Sequence, residues 1–399
     1  MKTRYLRILS VLAILGLFMT GCVYPFEIDT GEESSDGHLV IEGDILIGEI
    51  STVKLSYVRD LRYTEESPEV YAYVSVEDSD GLTYHGRVSA SDGGRTYMID
   101  TRMAEPGRKY RLVVTTLDGK AYASEWAEPT HPADIDSISW IKDEEHGRIA
   151  IALSMHSDDN EHYFRWNYDE TWEYHTLYYS RLQYLPPVTG TYTWNGGYGM
   201  IEELPYGLNY YYCWQQQSST DVMIFSTEQQ TEDRFQDLEF LLLYQGDSRL
   251  SVLYNIKVYL STLTKDAYRY WQNMKNNSDQ SGSLFTPNPS EMIGNIRSLD
   301  NPDELVIGYI SVVQRESASM YMSNEELDGF YQPNGYGMSE PKYVAFHNWL
   351  SAYYGGLAPV NSRVEDFETK YYWAPRGCVD CRALGGTKVK PEGWPTDHN

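Results

Sequence analysis

Apolar and polar residues alternate over the first third of the chain in short runs that predict β-strands. The runs are seven to nine residues long and lie at 38–44, 52–58, 70–77, 107–115 and 120–126. The dipeptide Asp118-Gly119 separates the last two runs and favours a tight hairpin turn. The number and spacing of these runs predict an immunoglobulin-like β-sandwich over residues 38–130.

Two closely spaced prolines, Pro129 and Pro132, mark a boundary after this region. Proline ends a central strand because it lacks a backbone donor and biases the preceding residue to extended geometry. Strand patterning resumes beyond the boundary, most clearly in the alternating run at 252–260. Residues 131–399 are therefore predicted to form a larger β-rich domain. Its stretch beyond Gln314 has weak patterning and is predicted to be rich in loops.

One prominent helix is predicted over residues 264–276. Thr264 can cap the first turn, and Asp266 complements the positive end of the helix dipole. The apolar residues fall on one helical face and are Ala267, Tyr270, Trp271 and Met274. The predicted fold class is therefore mainly β, with a single helix standing out in the second domain.

Aromatic residues are concentrated at 163–214, where 17 of 52 positions are Tyr, Trp or Phe. In 164–174 aromatic and polar residues alternate, so a strand there would have one aromatic face and one polar face. The aromatic excess has two explanations, namely packing between strands or a platform for a ligand or partner. The candidates for ligand binding lie in or beside a glycine-punctuated stretch at 186–207 and are Tyr178, Tyr179, Tyr192, Trp194 and Tyr198.

The start of the chain has the pattern of a bacterial lipoprotein export signal. Three cations precede an apolar stretch at 8–18 that is too short to span a bilayer. Met19-Thr20-Gly21-Cys22 follows and is close to a lipobox, with Met19 where Leu is commonest. We expect a signal peptide at 1–21, a lipid on Cys22 and an acidic tether at 22–37. The alternative is an ordinary cleaved signal with a chance cysteine.

The charge balance narrows the range of partners. Removal of residues 1–21 takes away three of the 32 cations and none of the 58 acids, which leaves a net charge of −29. Binding to nucleic acid or to anionic headgroups through a basic patch needs clustered cations, so neither is expected. The lipid on Cys22 would hold such an acidic body at the membrane. No later stretch has the 18 apolar residues of a membrane-spanning helix.

Three cysteines remain besides Cys22, namely Cys213, Cys378 and Cys381. Cys378 and Cys381 are predicted to form a disulfide in a C-terminal loop, since an exported protein meets an oxidising environment. Cys213 would then be the odd thiol, or it would pair with one of the other two. A structural zinc site would need a second ligand pair that the sequence lacks.

No nucleotide-binding loop, nucleophile elbow or zinc-protease motif is present in the sequence. Asp169, Glu170 and Glu173 lie among aromatic residues, as a carboxylate pair for glycoside hydrolysis would. With 58 acids in the chain such proximity is common, so we expect no catalytic residue. No cofactor and no metal site are predicted either.

Several separated motifs occur in a familiar order along the mature chain. They include Leu39-Val40-Ile41-Glu42-Gly43, Pro106-Gly107-Arg108-Lys109-Tyr110, Arg165-Trp166-Asn167-Tyr168, Ala267-Tyr268-Arg269-Tyr270-Trp271 and Arg376-Gly377-Cys378-Val379-Asp380-Cys381. In these motifs the chain resembles the Bacteroidetes lipoprotein family called domain of unknown function 4249, and the resemblance covers nearly all of the mature protein. The resemblance implies an outer-membrane lipoprotein, often encoded beside a TonB-dependent transporter. It implies no activity and no catalytic residue.

The leading functional expectation is an outer-membrane lipoprotein that binds a ligand or serves as an accessory partner of a TonB-dependent transporter. We expect it to be lipid-anchored and exposed at the cell surface, with the periplasmic face as the alternative. Two other functions stay open, namely a lipid-anchored surface enzyme such as a glycoside hydrolase and a structural or adhesive surface lipoprotein.

Overall fold

The structure is a computed structural model that describes residues 37–58, 71–89, 94–158, 161–187, 197–279, 294–332 and 340–396. These residues are mainly β with two α-helices, which confirms the predicted fold class. Within these ranges no helix is both long and apolar enough to cross a membrane. The signal peptide, Cys22 and all but the last residue of the tether lie outside the described residues.

The strands of the first half are numbered in chain order. They are β1 (Leu39–Leu46), β2 (Ile50–Tyr57), β3 (Ala72–Asp78), β4 (Thr83–Val88), β5 (Thr96–Asp100), β6 (Tyr110–Thr116), β7 (Ala121–Ser124), β8 (Asp134–Asp143), β9 (Arg148–His156), β10 (Tyr163–His175), β11 (Leu182–Leu185) and β12 (Met200–Glu203).

The second half contains the other strands and both α-helices. The elements are β13 (Tyr212–Ser218), β14 (Met223–Ser226), β15 (Arg234–Tyr244), β16 (Leu253–Thr262), α1 (Lys265–Asp279), β17 (Ile296–Ser298), β18 (Val306–Ile307), β19 (Ser311–Val313), β20 (Arg315–Ser323), β21 (Lys342–Tyr343), α2 (Trp349–Tyr354), β22 (Leu357–Glu365) and β23 (Glu368–Pro375).

The first seven strands form most of a nearly closed sheet, which we call the N-terminal barrel. Its strand order is β17-β7-β6-β3-β4-β5-β2-β1-β18, with β19 also paired to β1. Alternate residues of these strands point into one buried core, including Ile41, Leu55 and Val76, all fully buried. The strands predicted within 38–130 therefore share a core, and three short strands from 296–313 complete their sheet.

The two ends of the N-terminal barrel meet at a seam between β17 and β18. A Cβ on Gly294 would lie 1.7 Å from the Gly308 carbonyl oxygen, so only glycine fits this close approach. The buried Asn295 side chain bridges the seam by donating to the Ile310 carbonyl at 2.8 Å and accepting from the Ile310 N–H at 2.9 Å. A side-chain amide therefore supplies hydrogen bonds across the seam, where β17 and β18 are not paired.

Two further sheets form a second unit, which we call the central sandwich. One sheet has the order β13-β10-β16-β20 with β14 also paired to β10, and the other has the order β15-β9-β8. Their facing side chains make one core that contains the aromatic face of β10, including Phe164, Trp166 and Trp172. The alternation predicted for 164–174 is therefore observed, and its aromatic face is a packing surface.

Helix α1 runs over Lys265–Asp279, close to the predicted bounds. The Thr264 hydroxyl accepts from the Ala267 N–H at 3.2 Å, as a capping residue should. Ala267 is buried, and Trp271 packs in the same cluster beside β10. The capping and apolar pattern thus predicted this helix correctly.

The C-terminal region is not the loop-rich stretch expected beyond Gln314, because it contains β20 to β23 and α2. Strands β21, β22 and β23 form a small sheet, and the β11–β12 hairpin lies against β22. Their shared core holds the buried rings of Tyr184, Trp349 and Trp373. We call β11, β12, β21 to β23 and α2 the C-terminal lobe.

Candidate ligand-binding site

A cavity of about 360 Å³ lies between the N-terminal barrel and the central sandwich, and we call it the junction cavity. The barrel contributes β1 and β2, and the sandwich contributes β10, β20 and the β13–β14 connection, with α1 at one side. Its walls include Asp44, Ile50, Arg165, Asp221, Trp271 and Arg315. Small-molecule sites are typically about 300–1,000 Å³ and favour the boundaries between folded units, so its size and location both suit a ligand.

Arg165 lines this cavity because of the alternation in β10. The even-numbered residues of that strand face the sandwich core, which leaves Arg165 on the face towards the barrel. Its guanidinium forms an ion pair with Asp44 of β1 and lies 4.6 Å from the centroid of the Trp271 ring. Only 14% of the Arg165 side chain and 18% of the Asp44 side chain are exposed, so this charge pair is shielded from solvent.

A second ion pair crosses the same junction. Arg315, at the start of β20, donates two hydrogen bonds to Glu49 at 2.8 and 2.7 Å. The Arg315 guanidinium also stacks over the Tyr259 ring, 4.2 Å from its centroid. Both arginines are therefore fixed in place by a carboxylate of the barrel and an aromatic ring of the sandwich side.

Three residues that line the cavity each have a side-chain polar atom that is buried without a hydrogen-bond partner in the described part of the chain. They are Asp44 with Oδ1, Trp271 with Nε1, and Trp166 with Nε1, whose ring belongs to the sandwich core. Buried polar groups in folded proteins are nearly always satisfied, so an unfilled acceptor and donor at a cavity wall favour a polar occupant. With the apolar side chains of Leu46, Ile50 and Met223 nearby, the cavity suits a small ligand with polar ends.

The carboxylates considered for catalysis serve as core contacts. Glu170 is 2% exposed and accepts hydrogen bonds from the Tyr254 hydroxyl at 2.7 Å and from Arg249 at 2.8 Å. Glu173 faces the opposite side of β10, is fully buried and accepts from the Trp394 indole at 2.9 Å. The two carboxylates therefore point away from each other, and each is engaged with neighbouring side chains.

Asp169 is engaged in the same way, by the Ser218 hydroxyl at 2.6 Å and the Tyr259 hydroxyl at 3.1 Å. None of the three carboxylates lines the junction cavity. Across the described residues, no group of three or more His, Cys, Asp or Glu side chains has an arrangement that could hold a metal ion.

Three of the five predicted ligand-binding residues are described, and all three lie at the C-terminal lobe. Tyr178 is half-buried, and its N–H donates to the Cys378 carbonyl at 2.8 Å. Tyr179 is 55% exposed, with its ring edge-on to that of Tyr211. The structure brings neither residue to the junction cavity.

Tyr198 is 37% exposed and packs against Phe346, while its carbonyl accepts from the Tyr184 hydroxyl at 2.6 Å. It too lies away from the junction cavity. Tyr192 and Trp194 lie outside the described residues. Tyr198 therefore joins the β11–β12 hairpin to the rest of the lobe.

The predicted Cys378–Cys381 disulfide is wrong, because Cys381 is bonded to Cys213 of β13. Pairing of Cys213 with one of the C-terminal cysteines was the alternative left open by the sequence. Cys378 points instead into the lobe core beside Val360 and Ala374, and its thiol is free. Burial raises the pKa of the Cys378 thiol, which disfavours the reactive thiolate.

Sequence reasoning missed the residues that form the junction cavity. The alternation in β10 placed Arg165 on a polar face, but no local signal connected it to Asp44, which is 121 positions away. Trp271 was assigned correctly to the apolar face of α1, although its ring also stacks on an arginine. These side chains meet only because the barrel packs against the sandwich.

A protein-family profile described as "Domain of unknown function (DUF4249)" matches residues 23–319, about three quarters of the chain. No curated protein matches. A solved structure described as "Biofilm associated protein - BSP domain" aligns at 8% identity with a TM-score of 0.16. The alignment covers 75% of this chain and 61% of that one, and a TM-score of this size gives no support for a shared fold or function.

Proposed function

We propose that this chain, which belongs to the DUF4249 family, is an outer-membrane lipoprotein that captures a small polar ligand and passes it to a TonB-dependent transporter. Lipid on Cys22 would hold it at the membrane, with the folded body on the cell surface. In this proposal the protein acts by binding and transfer, without making or breaking a covalent bond.

The junction cavity is the observation that carries the proposal. Its volume of about 360 Å³ falls within the range of ligand sites, and its two arginines are each fixed by a carboxylate and a ring. Fixed donors around a partly apolar cavity favour binding, because few side chains have to be immobilised when the ligand binds. Glu170 and Glu173 of β10, by contrast, are held by contacts with buried side chains.

The anchoring part of the proposal rests on the export signal and on the charge. A body with a net charge of −29 has no excess of cations with which to hold an anionic membrane surface. Lipid on Cys22 supplies the attachment, since the acyl chains of a bacterial lipoprotein together give stable insertion. The acidic tether at 22–37 would hold the body away from the bilayer and within reach of a neighbouring transporter.

The experiment that tests this function is co-purification from outer membranes in mild detergent, using a C-terminal tag and mass spectrometry of proteins and small molecules. We expect a TonB-dependent transporter to co-purify in a roughly fixed ratio. A Cys22→Ala variant should leave the membrane fraction and lose the transporter. Recovery of the lipidated protein without any transporter, or retention of Cys22→Ala in the membrane, would contradict the proposal.

A further inference from the structure

A second cavity, of about 230 Å³, lies inside the C-terminal lobe, away from the junction cavity, and we call it the lobe cavity. Its walls include Ser180, Tyr184, Tyr210, Tyr353, Arg376 and Arg382. One carboxylate, that of Asp380, also lines the cavity, so its charged side chains are two arginines and one acid, whereas the chain as a whole has 58 acids and 32 cations.

Arg376 is half-buried at this cavity and its guanidinium is fixed in position. It lies 4.3 Å from the centroid of the Tyr353 ring and donates one hydrogen bond to the Tyr353 carbonyl at 2.9 Å. Its backbone is held as well, because its N–H donates to the Gly356 carbonyl at 2.7 Å and its carbonyl accepts from Asp380 at 2.8 Å. The side chain therefore needs little reorganisation to receive a ligand.

Arg376 has no carboxylate partner among the described residues. Arg382, the other arginine of the cavity, forms a two-point ion pair with Asp380 at 2.9 and 2.7 Å. The Asp380 carboxylate also accepts from the Arg382 N–H at 3.0 Å, so it is already occupied by its neighbour. A guanidinium offers five N–H donors, and at Arg376 a single hydrogen bond, to a neutral carbonyl, uses only part of them.

We propose that the lobe cavity is an anion-binding site, in which Arg376 binds a carboxylate or phosphate group of a small ligand. The planar guanidinium fork matches both groups, because each presents two oxygens at a suitable spacing. The rest of the wall includes Ser180, Tyr210 and Tyr353, which suit the neutral part of the ligand. It also includes the Asp380 carboxylate, whose charge is paired with Arg382. The site is separate from the junction cavity, so it does not depend on the function proposed there.

The test compares three sugars that differ in one group, namely glucuronate, glucose 6-phosphate and glucose, with the full-length lipoprotein purified in mild detergent. We expect isothermal titration calorimetry to detect at least one of the two acids and no glucose. Binding of only one acid would identify the group that is taken. Arg376→Gln should weaken binding of that acid at least about tenfold, because a charge-assisted pair of hydrogen bonds is lost.

Arg363→Gln is the matched control, since Arg363 also stacks on a tyrosine, 4.9 Å from the Tyr372 centroid, but lies outside the cavity. We expect Arg363→Gln to change binding by less than about twofold. A measurement on the unaltered chain does not depend on how a variant folds: raising the salt from about 50 to about 500 mM should weaken binding of the acid. Equal binding of glucose, no binding of either acid, salt-independent binding or an unaffected Arg376→Gln variant would overturn the proposal.

Discussion

Phe367 stands out at the residue scale because it is a fully exposed aromatic residue in a left-handed backbone conformation. It lies at the tip of the β22–β23 hairpin with φ +65°, next to Asp366 with φ +53°. Two consecutive positive φ values are typical of a type I′ turn, which favours Asn-Gly over larger side chains. An L side chain in this region costs about 1–2 kcal/mol, and Phe367 has no burial to offset that cost.

We therefore predict that Phe367→Gly raises the free energy of unfolding by about 0.5–1 kcal/mol, once the greater entropy of glycine in the unfolded chain is included. Urea denaturation followed by circular dichroism measures the change. Val364→Gly is the contrasting variant, because Val364 is also exposed but lies in the extended strand β22, where glycine should lower stability. Loss of stability in Phe367→Gly would contradict the prediction, because it would mean that the exposed ring stabilises the fold by more than the strained backbone costs.

At the scale of the element, Asp78 organises the β3–β4 hairpin. Its carboxylate accepts from the N–H groups of Asp80 at 3.0 Å and Leu82 at 2.8 Å, and from Arg108 at 2.8 Å. Burial by itself would raise the pKa of Asp78, but the hydrogen bonds from Leu82 and Arg108 outweigh it, and the pKa lies below its ordinary value. The turn is therefore held by a charged acceptor.

A carboxylate with a lowered folded-state pKa adds stability above its unfolded pKa of about 3.9, and that stability is lost as the pH falls through the folded value. We predict that Asp78→Asn lowers the free energy of unfolding by about 1–3 kcal/mol at pH 7, because donors that met a charged acceptor are left poorly paired. The difference from the unaltered protein should shrink as the pH falls below about 4. Denaturant unfolding at pH 7 and pH 3 measures it.

Asp100→Asn is the control for this effect, since Asp100 pairs with Arg102 while more than half of each side chain is exposed. Exposed ion pairs contribute little, so this variant should be nearly neutral at both pH values. An Asp78→Asn variant with the same small effect would show that the hairpin holds without the charge.

The elements that the sequence predicted have their signal in neighbouring residues, whereas those that it missed do not. Helix α1 and the alternation in β10 were predicted from such local patterns, and both are observed. Strand β20 has a polar and small-residue sequence over Arg315–Ser323, and it forms because β16 offers a paired edge from Leu253 to Ser261. Propensity within such a segment is weak, so packing against a partner decides its structure.

The cysteines and the cavities depend on distant contacts in the same way. Cys378 and Cys381 are three positions apart, but one side chain points to Val360 and the other to Cys213. Spacing along the chain could not distinguish these directions, because they are set by how the C-terminal lobe lies on β13. For the same reason, the sequence did not predict that Arg165 pairs with Asp44 and Arg315 with Glu49.

At the scale of the whole molecule, the disulfide ties the segment that follows β23 to β13 of the central sandwich across 168 positions. A cross-link that closes so long a loop restricts the unfolded chain strongly, and its loss typically costs about 2–5 kcal/mol. We predict this loss for Cys213→Ala, measured by denaturant unfolding without reductant. Cys378→Ala should cost less because it removes no cross-link, and non-reducing peptide mapping should recover Cys213 joined to Cys381.

The junction between the N-terminal barrel and the central sandwich supplies the last prediction. Arg165 and Asp44 are both mostly buried there, so removing one partner leaves a shielded charge uncompensated. We predict that Arg165→Gln and Asp44→Asn each lower the free energy of unfolding by about 3 kcal/mol, and that the double variant loses much less than their sum. A double-mutant cycle should therefore give a coupling energy above about 1 kcal/mol.

The exposed pair of Arg269 and Asp266 on α1 is the matched control, with 63% and 81% of its side chains exposed. Its coupling should be at most about 0.5 kcal/mol, because solvent screens the charges.

If the junction pair coupled as weakly as this control, the barrel and the sandwich would be held together by other contacts. Arg165 and Asp44 could then be altered without affecting how the two units pack, and any ligand in the junction cavity could compete for Arg165 at little cost in stability. A large coupling would instead mean that a ligand has to bind around an intact ion pair, through the unfilled Oδ1 atom of Asp44 and the Trp271 indole.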